Sequence, residues 1–119
     1  ELRDLCAVDV WFRDPFNDVR GQDQIVRIFS KMFEEVAEPT FEVVDNALSG
    51  SNSYLRWVFR FKSKKNGKSF SIEGMTEVHF DQSGKVAAHL DHWDAASQLY
   101  EHLPLLGGVL RVIRRRLAL

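Results

Sequence analysis

Residues 54 to 80 constrain the fold most. In 54–62, Leu55, Trp57, Phe59 and Phe61 alternate with Tyr54, Arg56, Val58, Arg60 and Lys62; in 69–80, Phe70, Ile72, Gly74, Thr76, Val78 and Phe80 alternate with Glu73, Met75, Glu77 and His79. A period of two sends alternate side chains to opposite faces of a strand. Between the two runs lies "KKNGK", whose Asn66-Gly67 pair tolerates the positive φ of a tight hairpin turn. The result is a pair of long antiparallel strands with one apolar face, and such a face has to be covered.

The remaining segments extend the sheet and supply a cover. Residues 2–7 read as the end of a helix. From Val10 the period is two, with Val10, Phe12, Asp14 and Phe16 on one face and Trp11 and Arg13 on the other, until Pro15 removes a donor and "NDVRG" provides turn residues. From Gln22 the period is helical: Ile25, Ile28, Phe29, Met32, Phe33 and Val36 form one apolar stripe, and Pro39 stops the helix. Further strands are expected at 41–48 and at 85–93, where Ala87, His89, Asp91 and Trp93 share a face. Asp94 is placed to cap a helix carrying Ala95, Leu99 and Leu103; Pro104 breaks it, and 105–117 form a last amphipathic helix with a basic end. The fold class is α+β: a curved, mainly antiparallel sheet with the 22–36 helix over its concave face.

Composition narrows the function classes. The 119 residues make one domain spanning 1–119, long enough to bury roughly two-thirds of the unfolded surface without staples. A net charge of -1 gives no field for drawing in nucleic acid. The lone Cys6, between Leu5 and Ala7, reads as a small buried hydrophobe and fits a reducing compartment; with no long apolar run and no signal pattern, a cytoplasmic protein is expected.

Two stretches resemble a known superfamily. "DVWFRDPFNDVRGQDQIVRIF" is similar to the strand, Asp-Pro-Phe turn, glycine and second long helix of the nuclear transport factor 2-like superfamily, in its SnoaL-like and ketosteroid isomerase-like branch, and "FDQSGKVAAHLDHWD" resembles its last hairpin. The resemblance covers about residues 2–94 and implies a cone-shaped sheet. Its members include isomerases, cyclases, epoxide hydrolases and non-catalytic binders. Under it, Asp14 matches the isomerase's general base and Trp93 a pocket aromatic. Thr76 falls where the isomerase has a protonated acid, and nothing matches its oxyanion tyrosine, because the first long helix has no counterpart before Glu1. The resemblance also implies a homodimer. Without the first helix the cone would leave Phe12, Phe16 and Trp57 wet, so residues 105–117, from the same chain or from a partner, are expected to cover it.

These parities put Asp14, Thr76, His89 and Asp91 on the enclosed face among Phe12, Phe16, Trp57, Phe59, Ile72 and Trp93. Two acids and an imidazole in an apolar space suit general acid/base chemistry on a small hydrophobic substrate, since withdrawal from water moves a carboxyl toward the neutral range. In this scheme Asp14 or Asp91 takes a proton while His89 or Thr76 polarises an oxygen. Each candidate has an ordinary alternative. Asp14 before Pro15 equally suits a side chain bonding turn amides, His89 and Asp91 a mutually satisfied pair, and Trp57 and Trp93 plain packing. The whole cavity could equally serve a non-catalytic binder of a hydrophobic ligand, or a dimeric scaffold. No metal site is expected, because alternation sends His92 away from His89 and Asp91, and no cofactor is expected.

Outside the cavity, Glu73, Met75, Glu77 and His79 with Arg56 and Arg60 form an outer face suited to a wet homodimer contact or to solvent. Around the tail "LRVIRRRLAL", Leu106 and Val109 just before it form a stripe with Leu110, Ile113 and Leu117, beside Arg111 and Arg114 to Arg116. Docking of 105–119 on protein is preferred over a membrane surface, since Gly107-Gly108 weakens a free helix.

Overall fold

The computed structural model describes residues 2–99 and 106–118. A short helix α1 (Leu2–Leu5) leads into β1 (Cys6–Arg13) and β2 (Asp18–Arg20), then α2 (Gln22–Glu35). Four strands follow, β3 (Val36–Ser49), β4 (Asn52–Ser63), β5 (Ser69–Phe80) and β6 (Val86–His92), and then α3 (Ala95–Gln98) and α4 (Leu106–Leu117). All six strands form one curved, open sheet in the order β2-β1-β6-β5-β4-β3. Every pairing is antiparallel except β1 with β6. This is the α+β cone that the resemblance implied.

The β4–β5 hairpin pairs in the register its alternation demands, Leu55 with Thr76, Trp57 with Gly74, Phe59 with Ile72 and Phe61 with Phe70. Its turn holds Gly67 at φ 69, a conformation that costs a glycine little. Residues of α2 cover the concave face: Ile25, Val26, Ile28 and Phe29 pack on Val10 and Phe12, and Met32 reaches the Trp57, Phe59 and Ile72 cluster. Cys6 is buried in the first cluster, and that burial raises its thiol pKa.

Several boundaries differ from the sequence expectation. The first strand begins at Cys6, where residues up to 7 read as helix, and ends at Arg13 instead of Phe16, because Asp14 bonds its own turn. Residues 18–20, read as a turn, form the edge strand β2, with Trp11 Nε1 donating to Asp18 Oδ1 at 2.7 Å. The long helix ends at Glu35, ahead of Pro39, because Val36 already pairs with Ser63 of β4. Pro39 lies within β3 at an irregularity between Ala37 and Thr40, where Glu38 takes φ 51; a residue without a backbone donor is tolerated at such a sheet edge.

At the C-terminal end, Asp94 caps α3 as its sequence suggests, accepting from the Ser97 amide at 3.1 Å. Leu103 and Pro104 lie outside the described residues. Helix α4 contacts α3, while Val109, Val112, Ile113 and Leu117 stay exposed. The expectation that this segment covers the cone of its own chain is therefore corrected. No helix among the described residues is long and apolar enough to cross a membrane.

Candidate functional site

A polar chain crosses the concave face over three adjacent strands. Trp57 Nε1 on β4 donates to Thr76 Oγ1 on β5 at 2.7 Å; Thr76 Oγ1 donates to Asp91 Oδ1 on β6 at 2.5 Å; and His89 Nε2 lies 3.0 Å from the same carboxylate oxygen. Register places these groups together, since Thr76 is the cross-strand partner of both Leu55 and Asp91. His89 and Asp91 are two apart on one strand and so share a face.

The bonding assigns a direction to the chain. An indole N–H only donates, so Thr76 must accept there and give its own proton to Asp91. Thr76, 3% exposed, therefore has no proton left to polarise a substrate oxygen. That part of the sequence expectation is corrected. A proton on His89 Nε2 fits the remaining contact, which leaves Nδ1 as the outward nitrogen. The His89 ring is stacked on Phe12, with centroids 5.3 Å apart, and meets the edge of Phe29 at 6.1 Å. The parallel pairing of Phe12 with His89 produces this stack.

Asp91 and His89 both keep an open side. The Asp91 and His89 side chains are 18% and 27% exposed. Among the described residues, Asp91 Oδ2 and His89 Nδ1 have no hydrogen-bond partner, and neither is sealed from solvent. A carboxylate with one oxygen fixed by two bonds and the other free is positioned to receive a proton along a defined direction.

Asp14 is not joined to this chain. Its Oδ1 accepts from the Phe16 amide at 2.8 Å and the Asn17 amide at 2.7 Å, and Asn17 Nδ2 reaches Oδ1 at 3.1 Å and Oδ2 at 3.3 Å. Of the two readings open for Asp14, the structure draws the turn. The aromatic candidates also divide. Phe12, at 1% exposed, together with Trp57, Phe59 and Ile72, is packed in the core, so these residues support the site from behind. Phe16 is exposed and Trp93 half-buried, and their rings meet edge-on with centroids 5.6 Å apart.

Gly74 belongs to the site although its alternation alone assigned it no role. A Cβ there would lie 2.6 and 2.7 Å from two Trp57 ring carbons and 2.9 Å from the His92 carbonyl oxygen. The missing side chain lets the indole lie on β5 with its N–H on Thr76. A glycine inside a strand, directly opposite a tryptophan, is the signal that could have marked it.

On the opposite side of the sheet, Glu77 Oε2 lies 3.1 Å from His79 Nε2 and Oε1 lies 2.9 Å from His92 Nε2. The hydrogen bond from His79, and then that from His92, lowers the Glu77 pKa. No group of three or more His, Cys, Asp or Glu among the described residues is arranged to hold a metal ion.

Residues 1–89 match the SnoaL-like domain family. No curated protein matches by sequence. Among solved structures, a putative SnoaL-like polyketide cyclase from Jannaschia sp. CCS1 is similar over 81% of this chain and 72% of its own, at 13% identity and a TM-score of 0.73. A hypothetical protein with a ketosteroid isomerase-like fold from Catenulispora acidiphila, in complex with trimethylamine, aligns over 81% and 75%, at 14% identity and a TM-score of 0.73. The epoxide hydrolase/cyclase-like enzyme SalBIII, with a role in pyran ring formation in the polyether salinomycin, aligns over 76% and 74%, at 14% identity and a TM-score of 0.67. At these identities the likeness concerns the fold.

Proposed function

The chain belongs to the SnoaL-like domain family, and we propose that it is an acid/base pocket protein of that family, moving a proton on a small hydrophobic substrate at Asp91 and His89. The free Oδ2 of Asp91, on a carboxylate whose other oxygen is held by Thr76 and His89, carries this reading. In the proposed step Oδ2 takes a proton from a carbon beside a carbonyl. In that step His89 is the imidazolium, with Nε2–H kept on Asp91 Oδ1 and Nδ1–H donating to the carbonyl oxygen as negative charge develops there. For a β,γ-unsaturated ketone, return of the proton to the γ-carbon of the dienolate, with the double bond moving into conjugation, completes an isomerisation. Attack of the enolate on a second carbonyl carbon, with a proton supplied to the new alkoxide, completes a cyclisation. Thr76 and Trp57 act as positioning residues, because they orient the carboxylate without meeting the substrate. Phe16 and Trp93 are the aromatics at the surface against which an apolar ligand would lie.

Solvent deuterium exchange tests this. A panel of small apolar ketones is incubated with the protein in heavy water, and incorporation beside the carbonyl is followed by proton NMR. Catalysed exchange is expected in the wild type, with a loss of at least about a hundredfold in Asp91→Asn, the range typical of a positioned base. The Asp14→Asn variant is expected to retain exchange. Ligand binding with no exchange in any variant would instead assign a non-catalytic binding role. Equal exchange in the wild type and Asp91→Asn would remove Asp91 from the mechanism.

A further inference from the structure

Helix α4 carries an apolar stripe that no described part of its own chain covers. Val109, Ile113 and Leu117, each four residues apart, lie along one side of the helix with Val112 beside them, and all four are between 48% and 79% exposed. The helix contacts α3, which Gln98 ties to β5 through bonds with the Glu73 backbone at 2.6 and 2.9 Å. At Gly108, in the first turn, even an added Cβ would meet nothing within 4 Å, so this glycine does not serve a close approach to another element.

The residues around the stripe point to what covers it. Arg111 and Arg115 form a row one turn apart, and Arg116 continues the row of Val112 in the last turn. Arg115 and Arg116 are exposed and in no ion pair among the described residues. Segment 106–119 has no acid, and its four arginines stand in a chain of net charge -1, so the other residues together carry -5. Positive charge is thus gathered on one short helix.

The same segment contains no neutral polar side chain and no aromatic one: from 106 to 119 the sequence holds only Leu, Val, Ile, Ala, Gly and Arg. A protein partner is recognised through aromatic anchors and about one hydrogen bond per 100–200 Å² of contact, which calls for side chains of those kinds. A lipid surface asks for neither. It takes an aliphatic face into the acyl boundary and the basic side chains beside it into the headgroups. Arginine stems lie along apolar surface while the guanidinium reaches outward to phosphate. Twelve residues make about 18 Å of helix, too short to cross a bilayer and long enough to lie in its surface.

We propose that α4 docks on an anionic lipid surface, with Val109, Val112, Ile113 and Leu117 in the acyl boundary and Arg115 and Arg116 on lipid phosphates. This reverses the preference for protein that Gly107-Gly108 suggested. Those glycines weaken a free helix, and an apolar boundary, where unpaired backbone groups are costly, favours the helical form again. The charge of -5 on the other residues keeps them off an anionic surface, so α4 alone makes the contact. The inference stands apart from the acid/base reading of Asp91 and His89.

Co-sedimentation of the full chain with lipid vesicles tests it. Binding is expected to vesicles of equal parts phosphatidylglycerol and phosphatidylcholine, at least about tenfold weaker to phosphatidylcholine alone, and declining as salt is raised. Ile113→Asp should weaken it at least about tenfold, as should Arg115→Glu combined with Arg116→Glu, whereas Ile113→Leu should bind like the wild type. Circular dichroism checks each variant, and the arginine pair gives a second reading that leaves the apolar stripe intact. The proposal is overturned if the wild type stays in the supernatant, or if neutral vesicles bind it equally well. The same follows if Ile113→Asp or the double arginine variant binds like the wild type. A self-associated form in sedimentation velocity, abolished by Ile113→Asp and without vesicle binding, would assign the stripe to another protein chain and overturn it too.

Discussion

The two faces of the sheet use the same residue types to opposite ends. On the outer face, Glu77 spends both carboxylate oxygens on His79 and His92. On the inner face, Asp91 spends one oxygen on Thr76 and His89 and keeps the other open. The outer group is a set of mutually satisfied side chains at the surface; the inner one is rigid on one side and available on the other. Packing makes the difference. Phe12 and Phe29 hold the His89 ring from behind, and Trp57, seated on Gly74, fixes the Thr76 hydroxyl. Proximity of a carboxylate and an imidazole thus says little about use, while the direction of the bonds already made says more.

The largest break in this contrast should come from Gly74→Ala. The new methyl would overlap the Trp57 ring and the His92 carbonyl, neither of which is the loose end of a side chain. Overpacking and an unpaired buried indole N–H together should cost about 3 kcal/mol in urea unfolding and disturb the Asp91 site. A variant as stable as the wild type would show that the indole has another seat.

Thr76→Val should act next. It keeps the side-chain shape but leaves Trp57 Nε1 without an acceptor and Asp91 without its shortest bond. A loss of about 2 kcal/mol is expected, together with a fall in the deuterium exchange rate larger than any fall in ligand affinity. If affinity and rate fall equally, Thr76 is not orienting the carboxylate.

The outer cluster should give the smallest effect. Glu77→Gln is expected to cost less than about 1 kcal/mol at neutral pH and to leave exchange unchanged. Its signature is in acid. The Glu77 pKa is lowered by His79 and His92, and the Asp81 pKa by Ser83 and Lys85, so both bind a proton less readily folded than unfolded. Their stabilisation is complete above the ordinary carboxyl range, near 4.5 for Glu77, and is lost as pH falls through the lowered folded values. Urea midpoints measured from pH 6 downward should therefore decline in acid, and Glu77→Gln should flatten that decline while leaving the Asp81 part. An unchanged slope would mean that Glu77 is not linked to folding.

Much of the fold was legible because alternation and helical stripes are local signals. The inward faces of β4 and β5, the Asn66-Gly67 turn, the Asp94 cap and the outward placing of His92 all follow from neighbours a few residues apart. The short β2 strand escaped notice because three residues in a turn-rich stretch carry no period. Phe12 and Ile72 were legible as inward, though not as sealed; that depended on where α2 came to rest.

From residue order alone follow the strands, the long helix and the side of the sheet on which Thr76, His89 and Asp91 lie, because a pleated backbone alternates its side chains wherever it goes. Which of them touch was a tertiary matter. The register that pairs Thr76 with Asp91 and Trp57 with Gly74, and the parallel return that sets Phe12 under His89, join residues far apart in the chain. No short stretch encodes such a choice, since it is made by the total burial of the whole sheet. That choice left Asp91 with an open oxygen, whereas Asp14 is held locally by amides two and three residues further on.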